Sequence, residues 1–162
     1  MKISIISDIH DNIEKLSLAL PLCAKADLTL CCGDLCSPFV IRKLGTGLTH
    51  PVHIVFGNND GDRFRLASNA GKFPHLQLHG EYAELSLDER LIAINHYDNI
   101  ARGLAKGSGF DVVCFGHNHT YEVTTIGKTL LINPGEIYGG LSGHSTFAIY
   151  DTKTNEVQRI EL

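Results

Sequence analysis

No apolar run in this 162-residue chain approaches the roughly 18 residues that a membrane-spanning helix requires. The N-terminus lacks the basic segment and cleavage site of a signal peptide, and its apolar run is broken by Asp8 and His10. The expectation is a cytoplasmic protein with no membrane partner. There is no basic block either. The 14 Lys and Arg and 18 Asp and Glu are scattered, giving a net charge of −4. Phosphate neutralisation dominates affinity for long nucleic acids, so a long nucleic acid is not expected as a partner. Short substrates held through bound metal ions stay open, because such ions would be the largest local positive charges.

No CxxC pair occurs among Cys23, Cys31, Cys32, Cys36 and Cys114, and their number is odd. Neither a disulfide framework nor a zinc ribbon is indicated. Cys31, Cys32 and Cys114 lie in apolar runs and read as small buried hydrophobes. Cys36 follows the Asp34 loop and is placed to stand beside a site there. A P-loop, a Ser-His-Asp arrangement, a repeat and a linker are all missing. The chain reads as one domain, 1–162, long enough to bury a sizeable core. Both a monomer and a homo-oligomer are compatible with it.

What the sequence does contain is a set of apolar runs, each ending in groups that bind metals. Residues 3–7 precede Asp8-Ile9-His10, and residues 28–32 precede Gly33-Asp34. Residues 52–56 precede Gly57-Asn58-Asn59-Asp60, and residues 91–95 precede His96. Residues 111–115 precede Gly116-His117-Asn118-His119. In open α/β sheets, ligands bind at the carboxyl ends of strands. Each ending alone is ordinary turn chemistry. Together they point to one site built from distant parts of the chain.

The patterning predicts strands at 2–7, 28–32 and 52–56. Helices are expected over 12–25, capped by Asp11 or Asn12, from Ser37-Pro38 to about Leu44, ended by Gly45 and Gly47, and over 61–70, stopping at Gly71. That is a βαβαβ opening with parallel strands. Later strands are expected at 75–78, 81–87, 91–95, 111–115, 121–126, 128–132, 145–151 and 155–161, with a helix over 98–105. Their close hairpin spacing predicts antiparallel pairing. Residues 135–144, rich in glycine, read as the mobile loop. The fold class is α/β, with a mixed sheet or two packed sheets and helices outside.

Asp8 and His10 are two apart, so in extended chain they point to the same face. A carboxylate and an imidazole there can share one ion, and that donor mixture suits manganese, iron, nickel or zinc better than calcium. Asp34 has two oxygens and can bridge two ions. His117 and His119 can serve one metal or straddle two; spacing leaves both open. His50, His53, His75 and His79 follow no such ending and read as structural or exposed, and His144 falls in the glycine-rich stretch.

The ordered set Asp8-x-His10, Gly33-Asp34, Gly57-Asn58-Asn59-Asp60, His96 and Gly116-His117-Asn118-His119 strongly resembles the calcineurin-like metallophosphoesterase family. The small size and Asn133-Pro134-Gly135 resemble its compact bacterial and archaeal phosphodiesterases. The resemblance implies two packed mixed β-sheets flanked by helices and two divalent transition-metal ions, manganese first, with iron, nickel or zinc as alternatives. Asp8, His10, Asp34 and His119 would hold one ion. Asp34, Asn58, His96 and His117 would hold the other, with Asp34 bridging. Candidate catalytic residues are Asp34, Asn58, Asn59, Asp60 and Asp98. The implied function is hydrolysis of a small phosphodiester or phosphomonoester by a metal-bridging hydroxide. A non-catalytic scaffold on the same fold and a nuclease are the alternatives.

Three positions depart from the family pattern. Asn59 stands where many members carry histidine, and asparagine cannot act as a general acid. Asp98 stands where a second histidine often follows the fourth-motif ligand. Glu136 replaces the usual serine after Asn-Pro-Gly.

Overall fold

A computed structural model describes residues 1–107 and 109–162. The first half contains β1 (Lys2–Ile6), α1 (Ile13–Cys23), β2 (Leu28–Cys31), α2 (Pro38–Gly47), β3 (Val52–Ile54), α3 (Arg63–Ala70) and β4 (Leu76–Leu78). The second contains β5 (Tyr82–Leu87), β6 (Arg90–Asn95), α4 (Asp98–Lys106), β7 (Val112–Cys114), β8 (Tyr121–Ile126), β9 (Thr129–Pro134), β10 (Thr146–Asp151) and β11 (Glu156–Glu161).

The strands form two mixed sheets, ordered β11-β10-β1-β2-β3-β4 and β5-β6-β7-β9-β8. Strand alternation sorts the side chains into layers. Ile3, Ile5, Leu30 and Cys32 of the first sheet meet Ile92, Ile94, Val112, Cys114, Leu130 and Ile132 of the second in the core between them. The intervening residues face outward. Cys31 and Ile54 pack under the three first-half helices with Leu16, Leu44 and Leu66. Ala93, Val113 and Leu131 pack beneath Ala101 and Ala105 of α4. The expected two packed sheets flanked by helices are what the chain forms. Among the described residues, no helix is long and apolar enough to cross a membrane.

Asn12 caps α1 by accepting from the Lys15 N–H at 3.0 Å. Asp11 turns away to the Ser37 N–H, 3.0 Å distant. Three expectations need correction. First, α2 continues past Leu44 and through Gly45, ending at Gly47. A Cβ at Gly45 would lie 2.5 Å from the Phe73 ring, and one at Gly47 2.6 Å from Leu20 Cδ1, so both are packing positions. Second, the later strands are not all antiparallel. Hairpins join β5 to β6, β8 to β9 and β10 to β11, but β7 runs parallel to both β6 and β9.

Third, residues 135–144 are tied down at several points. The Ile137 N–H donates to Ser7 O at 3.0 Å and the Tyr138 N–H to Asp8 O at 2.9 Å. Glu136 and Ile137 are fully buried. Glycine content suggested a mobile segment; the buried acid and isoleucine inside it anchor the stretch across the end of β1.

Candidate metal centre

The loops after β1, β2, β3, β6 and β7 meet at one edge of the sandwich. Glycines allow the approach. A Cβ on Gly33 would lie 2.7 Å from both the Gly57 N and His96 Nδ1, and a Cβ on Gly57 would collide with the Asp34 carboxylate. Close packing of these loops brings Asp8, His10 and His119 into one group, and Asp8, Asp34 and His96 into another.

The backbone there is strained. Asp8, His10, Asp34, His117 and His119 all have left-handed φ, from 44° to 73°, a conformation that clusters at functional sites. This corrects the extended-chain reading of Asp8 and His10. Their side chains converge because β1 ends at Ile6 and the chain turns, not because strand alternation continues.

Asp34 is the hub. Its Oδ2 lies 3.5 Å from His10 Nε2 and 3.3 Å from His96 Nε2. The Asn59 main-chain N–H donates to Oδ1 and its side-chain amide to Oδ2, each at 2.8 Å. Burial alone would raise the Asp34 pKa, but the adjacent His96 imidazole and the Asn59 hydrogen bonds hold it well below the usual carboxylate range. Asp60 lies beneath this layer. Its carboxylate accepts from the N–H groups of Asp34, Leu35, Cys36 and Gly57 at 2.7–3.1 Å. All of this capacity goes to the loop backbone. Burial still raises its pKa against those bonds.

The histidine nitrogens test whether cations fit. His96 Nδ1–H donates to Cys32 O at 2.7 Å. In the neutral ring its Nε2 lone pair then faces Asn58 Oδ1 at 3.0 Å and Asp34 Oδ2 at 3.3 Å. His119 repeats the pattern: Nδ1–H donates to Glu136 Oε2 at 2.6 Å, and Nε2 faces Asp8 Oδ1 at 3.4 Å. His10 Nε2 is buried without a hydrogen-bond partner, between Asp34 Oδ2 at 3.5 Å and Asp8 Oδ1 at 3.8 Å. Acceptors facing acceptors are repulsive unless positive charge lies between them. The His10 pKa is raised, chiefly by the Asp8 carboxylate and against the effect of burial. Burial pulls the His96 pKa down, yet Asp34 and Asp8 outweigh it and the pKa rises. A mixed carboxylate and imidazole set of this kind fits divalent transition ions.

At the solvent side, His117 Nδ1 lies 2.9 Å from Asn58 Oδ1, and its ring packs edge-on against His96. All seven sequence-predicted ligand positions therefore converge. Asp98 stands apart from this network, with Oδ1 paired to Arg102 Nε at 2.7 Å, and Arg102 also binds Glu122 at 2.6 Å. Cys36 Sγ stands 3.5 Å from His10 Nδ1. Burial first, and nearby carboxylates with it, push that thiol up to about 12.

Other histidines lie elsewhere: His53 Nδ1 meets His79 Nε2 at 2.9 Å, His50 meets Thr29 Oγ1 at 2.7 Å, and His144 meets Glu161 at 2.8 Å. Sequence patterning assigns no role in the site to Glu136 or to Tyr138, whose ring centroid is 5.5 Å from that of His10. Glu136 was visible only as a departure from a family pattern, and Tyr138 carried no signal.

The calcineurin-like phosphoesterase superfamily domain matches residues 1–155. The phosphodiesterase MJ0936 of Methanocaldococcus jannaschii is 30% identical, over 100% of this chain and 99% of its own. The probable metallophosphoesterase YsnB of Bacillus subtilis is 30% identical, over 99% and 97%. Among solved structures, an archaeal phosphodiesterase superposes with a TM-score of 0.92 at 31% identity, covering 100% of both chains. Zinc-complexed Vps29 of Entamoeba histolytica, at 17% identity and a TM-score of 0.69 over 99% of both chains, shares the fold.

Proposed function

The chain belongs to the calcineurin-like phosphoesterase superfamily, and within it we propose a dinuclear-metal phosphodiesterase acting on small phosphodiesters. The observation that carries this reading is the set of imidazole Nε2 atoms on His10, His96 and His119 aimed at the oxygens of Asp8 and Asp34. A centre with that donor set attracts cations, and two of them can share it through Asp34.

Asp8, His10, Asp34 and His119 would hold one ion; Asp34, Asn58, His96 and His117 would hold the other. When bound, such ions supply a water of lowered pKa and positive charge against the phosphoryl oxygens. The protein's own residues set the conditions. Asn59 fixes both oxygens of Asp34, so the shared carboxylate cannot rotate. Cys32 O holds the His96 ring in the tautomer whose Nε2 faces inward. Asp60 fixes the Asp34 and Gly57 loops against each other. Asp98 is engaged by Arg102, which lessens its repulsion of an anionic substrate.

No side chain with an acidic proton to give stands in the place of Asn59. Departure of the leaving group is left to its own acidity, which favours diesters and esters with good leaving groups. Metal analysis of the purified protein, with hydrolysis of a bis-aryl phosphate and Asp34→Ala as control, tests the reading. Bound transition metal and activity abolished by the substitution are expected. Absence of such metal, or activity indifferent to Asp34→Ala, would overturn it.

A further inference from the structure

Glu136 is completely buried, and both of its carboxylate oxygens are engaged. Burying a carboxylate is costly unless it is fully hydrogen-bonded. Oε2 accepts from His119 Nδ1 at 2.6 Å. Oε1 accepts from the Leu141 N–H at 3.1 Å, the Ser142 N–H at 2.6 Å and the Ser142 hydroxyl at 2.7 Å. The main chain is held as firmly. Glu136 O accepts from the Thr146 N–H at 2.8 Å, and the next two N–H groups donate to Ser7 O and Asp8 O. Each oxygen thus works from a fixed base on a different part of the site.

The first oxygen fixes a tautomer. With Nδ1–H donated to Glu136, the His119 Nε2 lone pair must point at the centre, 3.4 Å from Asp8 Oδ1. A carboxylate behind an imidazole also raises the basicity of its free nitrogen. The second oxygen gathers the strap that follows. Tyr138 and Leu141 on that strap line a cavity of about 250 Å³ together with His10, Cys36 and His119. Capping the strap requires only one of the oxygens. The other is spent on the histidine whose far nitrogen enters the centre.

We propose that Glu136 is a two-armed positioning residue. It holds His119 as an inward-facing ligand, and it holds the Tyr138–Ser142 strap as the wall of a seat for an apolar or aromatic ester arm of the substrate. What the cavity receives rests on the phosphodiesterase reading above; the orientation of the His119 ring does not.

Long-range 1H–15N NMR of the full-length, metal-free protein, labelled at histidine, reads the ring directly. Wild type should show His119 protonated at Nδ1. Glu136→Gln has a single acceptor oxygen, which the Leu141 and Ser142 N–H groups and the Ser142 hydroxyl claim, so its NH2 should face Nδ1 and turn His119 to the Nε2–H tautomer, whereas Glu136→Ala should mix the two. Calorimetric titration with Mn2+ should show one of two sites weakened about 10–100-fold in Glu136→Ala, and weakened in Glu136→Gln through the lost charge. Ser142→Ala should leave the tautomer intact and raise KM for bis(nitrophenyl) phosphate by a larger factor than it lowers kcat.

Wild-type Mn2+ affinity in whichever Glu136 variant folds, or a wild-type His119 unprotonated at Nδ1, overturns the proposal. A Ser142→Ala enzyme that loses kcat with KM unmoved overturns the strap's part in it. If the tautomer behaves as stated but wild type takes up no Mn2+, the dinuclear reading falls and the orienting role stands.

Discussion

Asn59 grips Asp34 with two parallel hydrogen bonds, main-chain N–H to Oδ1 and side-chain N–H to Oδ2, both 2.8 Å long. The residue occupying the place of a proton donor is therefore a clamp on the shared carboxylate. Asn59→Ala should lower metal affinity and activity about 10–100-fold, as loss of a ligand's hydrogen-bond partner generally does. The dependence of rate on leaving-group pKa should stay as steep as in wild type. A series of aryl and alkyl phosphodiesters measures it, and comparable turnover of alkyl and nitrophenyl esters would contradict the absence of a general acid.

Asp60→Ala would strip four N–H groups, those of Asp34, Leu35, Cys36 and Gly57, of their shared acceptor. Each unsatisfied buried donor costs on the order of 1–3 kcal/mol, and partial access of water reduces the sum. A loss of roughly 3–5 kcal/mol in urea unfolding is expected, placing the variant in the severe tail of substitutions. Asp60→Asn keeps one oxygen and should fall between.

Gly45→Ala separates intrinsic propensity from packing. In an open helix the change would stabilise by about 0.5–1 kcal/mol. Here the new Cβ would meet the Phe73 ring at 2.5 Å. Overpacking of that kind costs about 1–3 kcal/mol, so net destabilisation is predicted. Thermal melting should show a lowered Tm, partly recovered in the Gly45→Ala/Phe73→Leu double variant.

His53, buried and 2.9 Å from His79, has its pKa lowered to about 4, first by desolvation and then by the neighbouring ring. A folded-state pKa below the unfolded value means that the unfolded chain binds the proton more readily. The contribution is complete above about pH 6.5 and is lost as pH falls towards 4. Unfolding free energies of wild type and His53→Gln, measured from pH 8 to 4.5, should converge on the acid side by roughly 1–3 kcal/mol. Parallel curves would show that His53 does not titrate in this way.

Chelation should destabilise the protein. A ligand that binds only the folded state adds about 2.7 kcal/mol at 100 times its Kd. Scanning calorimetry with EDTA and with added Mn2+ should show the Tm rising with metal in wild type and less in Asp34→Ala.

The site was more legible in the sequence than the strap beside it, for a physical reason. Strand alternation marks Ile3, Ile5, Ile92 and Ile94 as core from their spacing alone, and the donors at the strand ends sit at fixed offsets from them. Asp60 acts through bonds to backbone N–H groups distant in sequence, and Glu136 through a distant histidine and the N–H groups of its own strap, which no residue pattern encodes. Gly45 misled because its reason lies in Phe73, distant in sequence. The left-handed turn at Asp8 and His10 escaped notice because neither residue is a glycine.

That turn has an energetic consequence. Left-handed φ at Asp8, His10, Asp34, His117 and His119 is a conformation that glycine adopts freely and that aspartate and histidine, like asparagine, adopt more readily than other residues. Held non-glycine strain costs on the order of 1 kcal/mol or more per residue. His10→Gly would relax its turn while giving up a metal ligand, whereas His119→Asn would gain little and leave the buried Glu136 carboxylate without its imidazole partner. Turn strain at the ligand positions is thus a cost borne by the metal-free chain, and cation binding to the folded state would offset it.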